Sequence, residues 1–294
     1  MNVEELYFKI ALPAEIKSEV LSYANKKIPE GLLSDLTDSR TAKTAYQRLK
    51  EICPAEHKGL DILSYMLSAA LNTHKRYLEA GIDEEIYLAT MECFSRFVAE
   101  HKASYGDYGF DRGWWAYRHL SMILFKVGEL EYELGDDEKT IYLHIPTGAN
   151  IELSCFRDSL DCFRKFVKEH WPEKEEYPCM LDSWLLSPAL AQLLKPDCNI
   201  IRFQNCFSLM EWKKEDNEFL QWVYGRTDIE YENLPENTSL QRNMKKYLMQ
   251  GGRIGSGQGI LSQKKKASLS FDEDRKNAGQ LKFDVANVRS DVVR

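Results

Sequence analysis

The sequence predicts an α+β protein, mostly α: a helical N-terminal domain (residues 1–138), a mixed α/β domain (139–261) and a tail (262–294). Three observations carry this. Apolar residues recur at helical spacing through most segments before residue 135. Residues 141–170, IYLHIPTGANIELSCFRDSLDCFRKFVKEH, read as a short strand, a Pro-Thr-Gly turn and a long amphipathic helix. Strand and helix signals alternate after them, until Lys264-Lys265-Lys266 and the DEDRK run change the texture.

Taken in order, residues 11–27 read as a helix with Pro13 near its start, where a missing N–H is tolerated. Residues 41–53 repeat Ala42, Ala45, Leu49 and Ile52 and stop before Pro54. Residues 60–80 form a strong helix closed by Gly81, and Asp83 caps the next, residues 83–103, whose acidic first turn suits the helix dipole. Residues 111–134, DRGWWAYRHLSMILFKVGELEYEL, are apolar on most sides and read as one buried central helix. Arg118 and His119 lie inside it, as a paired Arg and a bonded His or as groups that face a cleft and hold an anion. Residues 135–139 are the turn at the domain boundary.

In the second domain residues 139–146 give a strand and Thr147-Gly148-Ala149 the turn. The helix after it carries Phe156, Leu160, Phe163 and Val167 on one stripe. Residues 179–186 read as a buried strand, 199–209 as another, 215–225 as a helix ended by Gly225, 239–250 as a helix, and 253–261 as a glycine-rich final strand. The tail holds either a hairpin, from residues 268–271 and 280–285, or a mobile segment. A strand entering a small-residue turn and a helix N-terminus is a ready anion site, because the first N–H groups lack partners.

Composition excludes several classes. A net charge of −7, with 46 acidic against 39 basic residues, argues against nucleic acid, which wants a concentrated basic face. No apolar run approaches the roughly 18 residues of a membrane span, and MNVEELYFKI lacks a basic leader, so a cytoplasmic protein is expected. Seven cysteines without a CxxC pair point to reduced thiols and to no metal site.

Several separated motifs then converge. Arg112-Gly113-Trp114-Trp115-Ala116 is followed by Arg118-His119 and by Leu143-His144-Ile145-Pro146-Thr147-Gly148-Ala149. Next come Ser183-Trp184-Leu185-Leu186-Ser187-Pro188, Asn199-Ile200-Ile201-Arg202-Phe203 and Thr238-Ser239-Leu240-Gln241-Arg242. In this order, across residues 1–261, they resemble bacterial acyltransferases that pair a helical N-acyltransferase N-terminal domain with a GNAT-like C-terminal domain. The resemblance implies a GNAT-like mixed sheet flanked by helices, acyl-coenzyme A such as acetyl-CoA as donor, and an amine acceptor in a cleft between the domains. It further implies that the coenzyme A pyrophosphate rests on backbone N–H groups of a strand-to-helix loop, usually spelled (Gln/Arg)-x-x-Gly-x-(Gly/Ala). Residues 143–153 have that topology with another spelling, and the RIGSGQG stretch at Arg253 matches the spelling only loosely. An inactive GNAT-derived module that binds a ligand or a protein therefore stays open beside the enzyme.

Acyl transfer to an amine needs a base, donors for the oxyanion and a proton for the leaving thiolate. His144, at a strand end beside the turn, is the candidate base, or else it fixes the turn by a hydrogen bond. Asp182 and Ser183 on the next strand offer a carboxylate and a hydroxyl, with Asp182 a solvated cap as the alternative. Thr147, Gly148 and Ala149 would receive the pyrophosphate, with Arg118 and Arg202 as its cations; Arg242 is a further candidate, and structural ion pairs are the alternative. Trp184 reads as core rather than an acyl-pocket wall, and Cys155 as an inert thiol rather than a nucleophile.

Overall fold

The computed structural model describes residues 1–24, 26, 28–135 and 139–262. Contacts divide the chain into two compact units, Met1–Val127 and Gly128 onward. The boundary expected from sequence lay in the turn at residues 135–139. The expectation for the tail falls, after Ser262, outside the described residues.

The first unit is a stack of helices: α1 (Val3–Lys9), α2 (Lys17–Ala24), α3 (Leu32–Asp35), α4 (Ala42–Ile52), α5 (Leu60–Glu79), α6 (Glu84–Met91), α7 (Cys93–Tyr105) and α8 (Gly113–Leu120). The longest, α5, is buried along Leu60, Leu63, Met66, Leu67, Ala70 and Tyr77, the spacing that brings side chains to one face. Gly81 at φ +68° ends it, and the Ile82 N–H donates to the Tyr77 carbonyl at 2.9 Å. Thr73 Oγ1 donates to the Leu120 carbonyl at 2.7 Å and ties α5 to the end of α8. Among the described residues no helix is long and apolar enough to cross a membrane.

The single central helix expected over residues 111–134 is not present. α8 stops at Leu120, Met122 takes the left-handed φ of +59°, and β1 (Leu124–Val127) and β2 (Leu130–Leu134) follow. The reason is legible afterwards in Leu130-Glu131-Tyr132-Glu133-Leu134, which alternates with the period of a strand, not of a helix.

The second unit continues with β3 (Ile141–His144), α9 (Leu153–His170), β4 (Cys179–Ser183), α10 (Leu190–Leu193), α11 (Asn199–Gln204), β5 (Phe207–Lys213), α12 (Ser239–Met249) and β6 (Ser256–Leu261). Its strands lie in the order β2–β3–β4–β6–β5, with β3 and β4 parallel and the other pairs antiparallel. α9 covers one face: Tyr132 of β2 stacks on Phe163 at 3.7 Å and 3°, and Phe156 meets Phe203 and Phe207 at 5.0 and 6.0 Å. Gly128, at φ +64°, lets the turn before β2 approach α9. A Cβ there would stand 2.8 Å from Ser159 Oγ and 2.9 Å from its Cα.

Three further expectations change. The strand expected at residues 199–209 is the helix α11 followed by β5, because Ile200 and Phe203, three apart, are both buried on one side. Packing of that pair outweighs the β-branched composition. The strand expected over 179–186 ends at Ser183, and Trp184–Leu186 form a 3-10 turn. The helix expected at 215–225 is a short π-helical segment, Leu220–Tyr224, ended by Gly225 at φ +81°.

Candidate active site

β3 delivers the chain into Ile145-Pro146-Thr147-Gly148-Ala149. Gly148 takes φ +90°, and the Ala149 N–H donates to the Pro146 carbonyl at 3.0 Å, which closes the turn. Thr147 is half-buried, Gly148 exposed and Ala149 buried. Two turn amides are taken: Asn150 N–H donates to Glu129 Oε2 at 2.9 Å, and Glu152 N–H to Asn150 Oδ1 at 3.0 Å. Glu152 is the N-cap of the 18-residue α9 and gives no side-chain cap, so the first-turn amides at residues 153–155 form the positive end of its dipole.

Beside this turn stand the carboxyl ends of the parallel strands. The paired register of β3 and β4 runs from Ile141–Cys179 to Leu143–Leu181 and ends there. One residue further, the same register sets His144 level with Asp182, on the sheet face away from α9. Antiparallel pairing puts Glu131 directly across from His144, and Glu133 across from Tyr142, on that same face. His144 Nε2–H donates to Glu133 Oε2 at 2.9 Å, with 23% and 20% of the two side chains exposed. Glu131 is buried, at 2%.

Asp182 accepts from the Lys213 ammonium of β5, and this partner holds the Lys213 pKa above the ordinary lysine range. Glu218, on the segment after β5, keeps solvent-accessible surface. Its pKa is nonetheless raised, by partial burial first and then by the Asp216 and Asp182 carboxylates. Ser183 points the other way: its hydroxyl accepts the Leu185 N–H at 3.2 Å and caps the 3-10 turn. Ser159 is likewise structural, touching the Tyr132 hydroxyl at 3.0 Å and accepting the Leu130 N–H at 3.3 Å.

These elements reproduce a described architecture. A family model of the GNAT-like C-terminal domain matches residues 63–261, well over half of the chain. The chain belongs to that family. A second model, the N-acyltransferase N-terminal domain, matches residues 1–122. No curated protein matches the sequence. Among solved structures, an acyltransferase in complex with decanoyl-CoA and teicoplanin superposes with a TM-score of 0.66 at 22% identity, covering 89% of this chain and 99% of that one. An acyltransferase in complex with CoA and 10C-teicoplanin gives 0.67 at 21%, and one with decanoyl-CoA 0.63 at 20%, with the same coverage. At these identities the likeness is one of fold, and the fold is that of acyltransferases.

Of the residues expected at a GNAT-like site, the second unit brings His144, Asp182, Thr147, Gly148 and Ala149 to the carboxyl ends of β3 and β4. Ser183 shares this strand end on the opposite face. Arg202 is exposed on α11, a helix where a strand was expected. Arg118 stands on α8 in the first unit, its guanidinium 4.1 Å from the Trp115 ring centroid. Arg242 is committed to the Glu236 carbonyl at 2.8 Å, and Cys155 lies in the first turn of α9, 4.0 Å from the Ser154 hydroxyl. The sequence reading missed Glu131 and Glu133; the alternation of residues 130–134 was the signal that could have found them.

Proposed function

We propose that this chain is an acyl-CoA-dependent N-acyltransferase that moves an acyl group to an amine. One observation carries the reading. Two parallel strands stop pairing at Leu143 and Leu181, and the first runs at once into a glycine turn and the uncapped end of a long helix. Ligands of sheets with parallel strands bind at their carboxyl ends, and a helix N-terminus suits a pyrophosphate. The neighbours crystallised with CoA and decanoyl-CoA make coenzyme A the donor to test.

In this reading the turn at Thr147, Gly148 and Ala149 and the first amides of α9 take the pyrophosphate, with Arg202 as a candidate cation for the remaining phosphates. The thioester then extends along the carboxyl ends of β3 and β4. His144 takes a proton from the acceptor amine as its nitrogen attacks the thioester carbon. The C–N bond forms, the C–S bond breaks, and the thiolate leaves to be protonated. Asp182 offers a carboxylate to an ammonium acceptor, whereas Ser183, on the opposite face, caps the turn that follows.

Isothermal titration with decanoyl-CoA and acetyl-CoA, beside thiol release in the presence of primary amines, tests this directly. Micromolar binding with amine-dependent thiol release is expected. A second reading, a binding module without catalysis, is favoured by one contact: the Glu129 carboxylate already occupies the Asn150 amide of the turn. Absence of donor binding at millimolar concentration would decide for it.

A further inference from the structure

We propose that Glu133 is the positioning residue of this site, holding the His144 imidazole in the tautomer that makes Nδ1 the base. The proposal rests on the acyl-transfer reading above and adds a residue to it. Glu133 is a carboxylate that only accepts, so the 2.9 Å contact to Nε2 requires the proton on Nε2. Nδ1 is then the basic nitrogen. The geometry that fixes this is built into the sheet. Glu133 and His144 sit on adjacent antiparallel strands, on one face, and diagonal to each other, since Glu133 pairs with Tyr142 and His144 with Glu131.

Both side chains are about four-fifths buried, so the contact is charge-assisted and little diluted by water. When Nδ1 accepts the acceptor's proton the ring becomes an imidazolium in contact with the Glu133 carboxylate. The charge that appears during the reaction is thereby met by charge already in place. The next strand supplies Asp182 at the same level, whereas its partner Lys213 is drawn toward Asp182. The step balances: the amine loses a proton to Nδ1, its nitrogen bonds to the acyl carbon, and the thiolate departs with the C–S electron pair.

The test uses the full chain and decanoyl-CoA, with water as acceptor so that no particular amine is needed. Thiol release is followed for wild type, Glu133→Gln, Glu133→Ala and His144→Ala, with decanoyl-CoA affinity from calorimetry. Nitrogen-15 imidazole spectra, assigned with His144→Gln, report the tautomer. Expected are a single Nε2–H form in wild type and kcat lower by about 10²-fold in Glu133→Ala, with KM and Kd unchanged. Glu133→Gln, which keeps an accepting oxygen without its charge, loses less. An Nδ1–H form in wild type overturns the proposal, as does Glu133→Ala turnover equal to wild type beside an inactive His144→Ala. Wild type that fails to bind decanoyl-CoA overturns the acyl-transfer reading itself, a result separate from the tautomer spectra.

Discussion

The two faces of β2, β3 and β4 carry opposite kinds of side chain. Toward α9 the strands present Tyr132, Leu143 and Leu181, each at most 1% exposed, with Tyr132 stacked on Phe163. On the other face, one residue along, the same strands present Glu133, His144 and Asp182, partly open to solvent. A strand alternates sides every residue, so a single register packs one face and leaves the proposed site on the other. The partly open polar residues are therefore expected to tolerate substitution without unfolding of the unit, and the buried aromatic face is not.

The largest expected effect breaks the polar face alone. His144→Ala should lower turnover of decanoyl-CoA by about 10²–10⁴-fold, the contribution of a general base, with melting temperature nearly unchanged. An equally large fall in melting temperature would mean that His144 belongs to the core instead. Phe163→Ala makes the opposite cut. It removes a buried ring stacked on Tyr132 and should cost about 3–5 kcal/mol in denaturant unfolding, with native-state kcat kept where the protein remains folded. Ser159→Ala should follow at about 1–3 kcal/mol, because it orphans the buried Leu130 N–H and Tyr132 hydroxyl. Full turnover in folded Ser159→Ala, measured beside its unfolding curve, keeps Ser159 on the structural side.

Much of the aromatic face was readable in the sequence and much of the polar face was not. Phe156, Leu160, Phe163 and Val167 repeat at helical spacing, and all four are buried on α9. The turn was equally plain, since Pro146 and Gly148 punctuate the chain by their own backbone limits. The polar face depends on pairing. Glu133 and His144 lie 11 residues apart on two strands, and β4 joins β3 in parallel only after the whole of α9, so no local pattern brings Asp182 beside His144. Residues 111–134 were read by hydrophobicity, which is high throughout, and the short alternation of 130–134 was lost in it. Residues 199–204 misled in the other direction, because Ile200 and Ile201 favour a strand until burial of Ile200 with Phe203 selects a helix.

The finest test lies between two consecutive residues. Ser183 faces the packed side and caps the turn at Trp184–Leu186, so Ser183→Ala should cost about 1 kcal/mol of stability. Asp182 faces the other side and pairs with Lys213 across a contact in which both side chains are more than a third exposed. Exposed pairs contribute less than about 1 kcal/mol, so Asp182→Asn should leave the unfolding curve almost in place. The two variants therefore separate what the strand end does from what it holds together. If Asp182 recognises the acceptor, Asp182→Asn raises KM for a cationic amine while thiol release to water is unchanged, and Ser183→Ala does neither. If instead Ser183→Ala lowers turnover at unchanged stability, the hydroxyl serves the reaction and the division of labour between the two faces fails at its last residue.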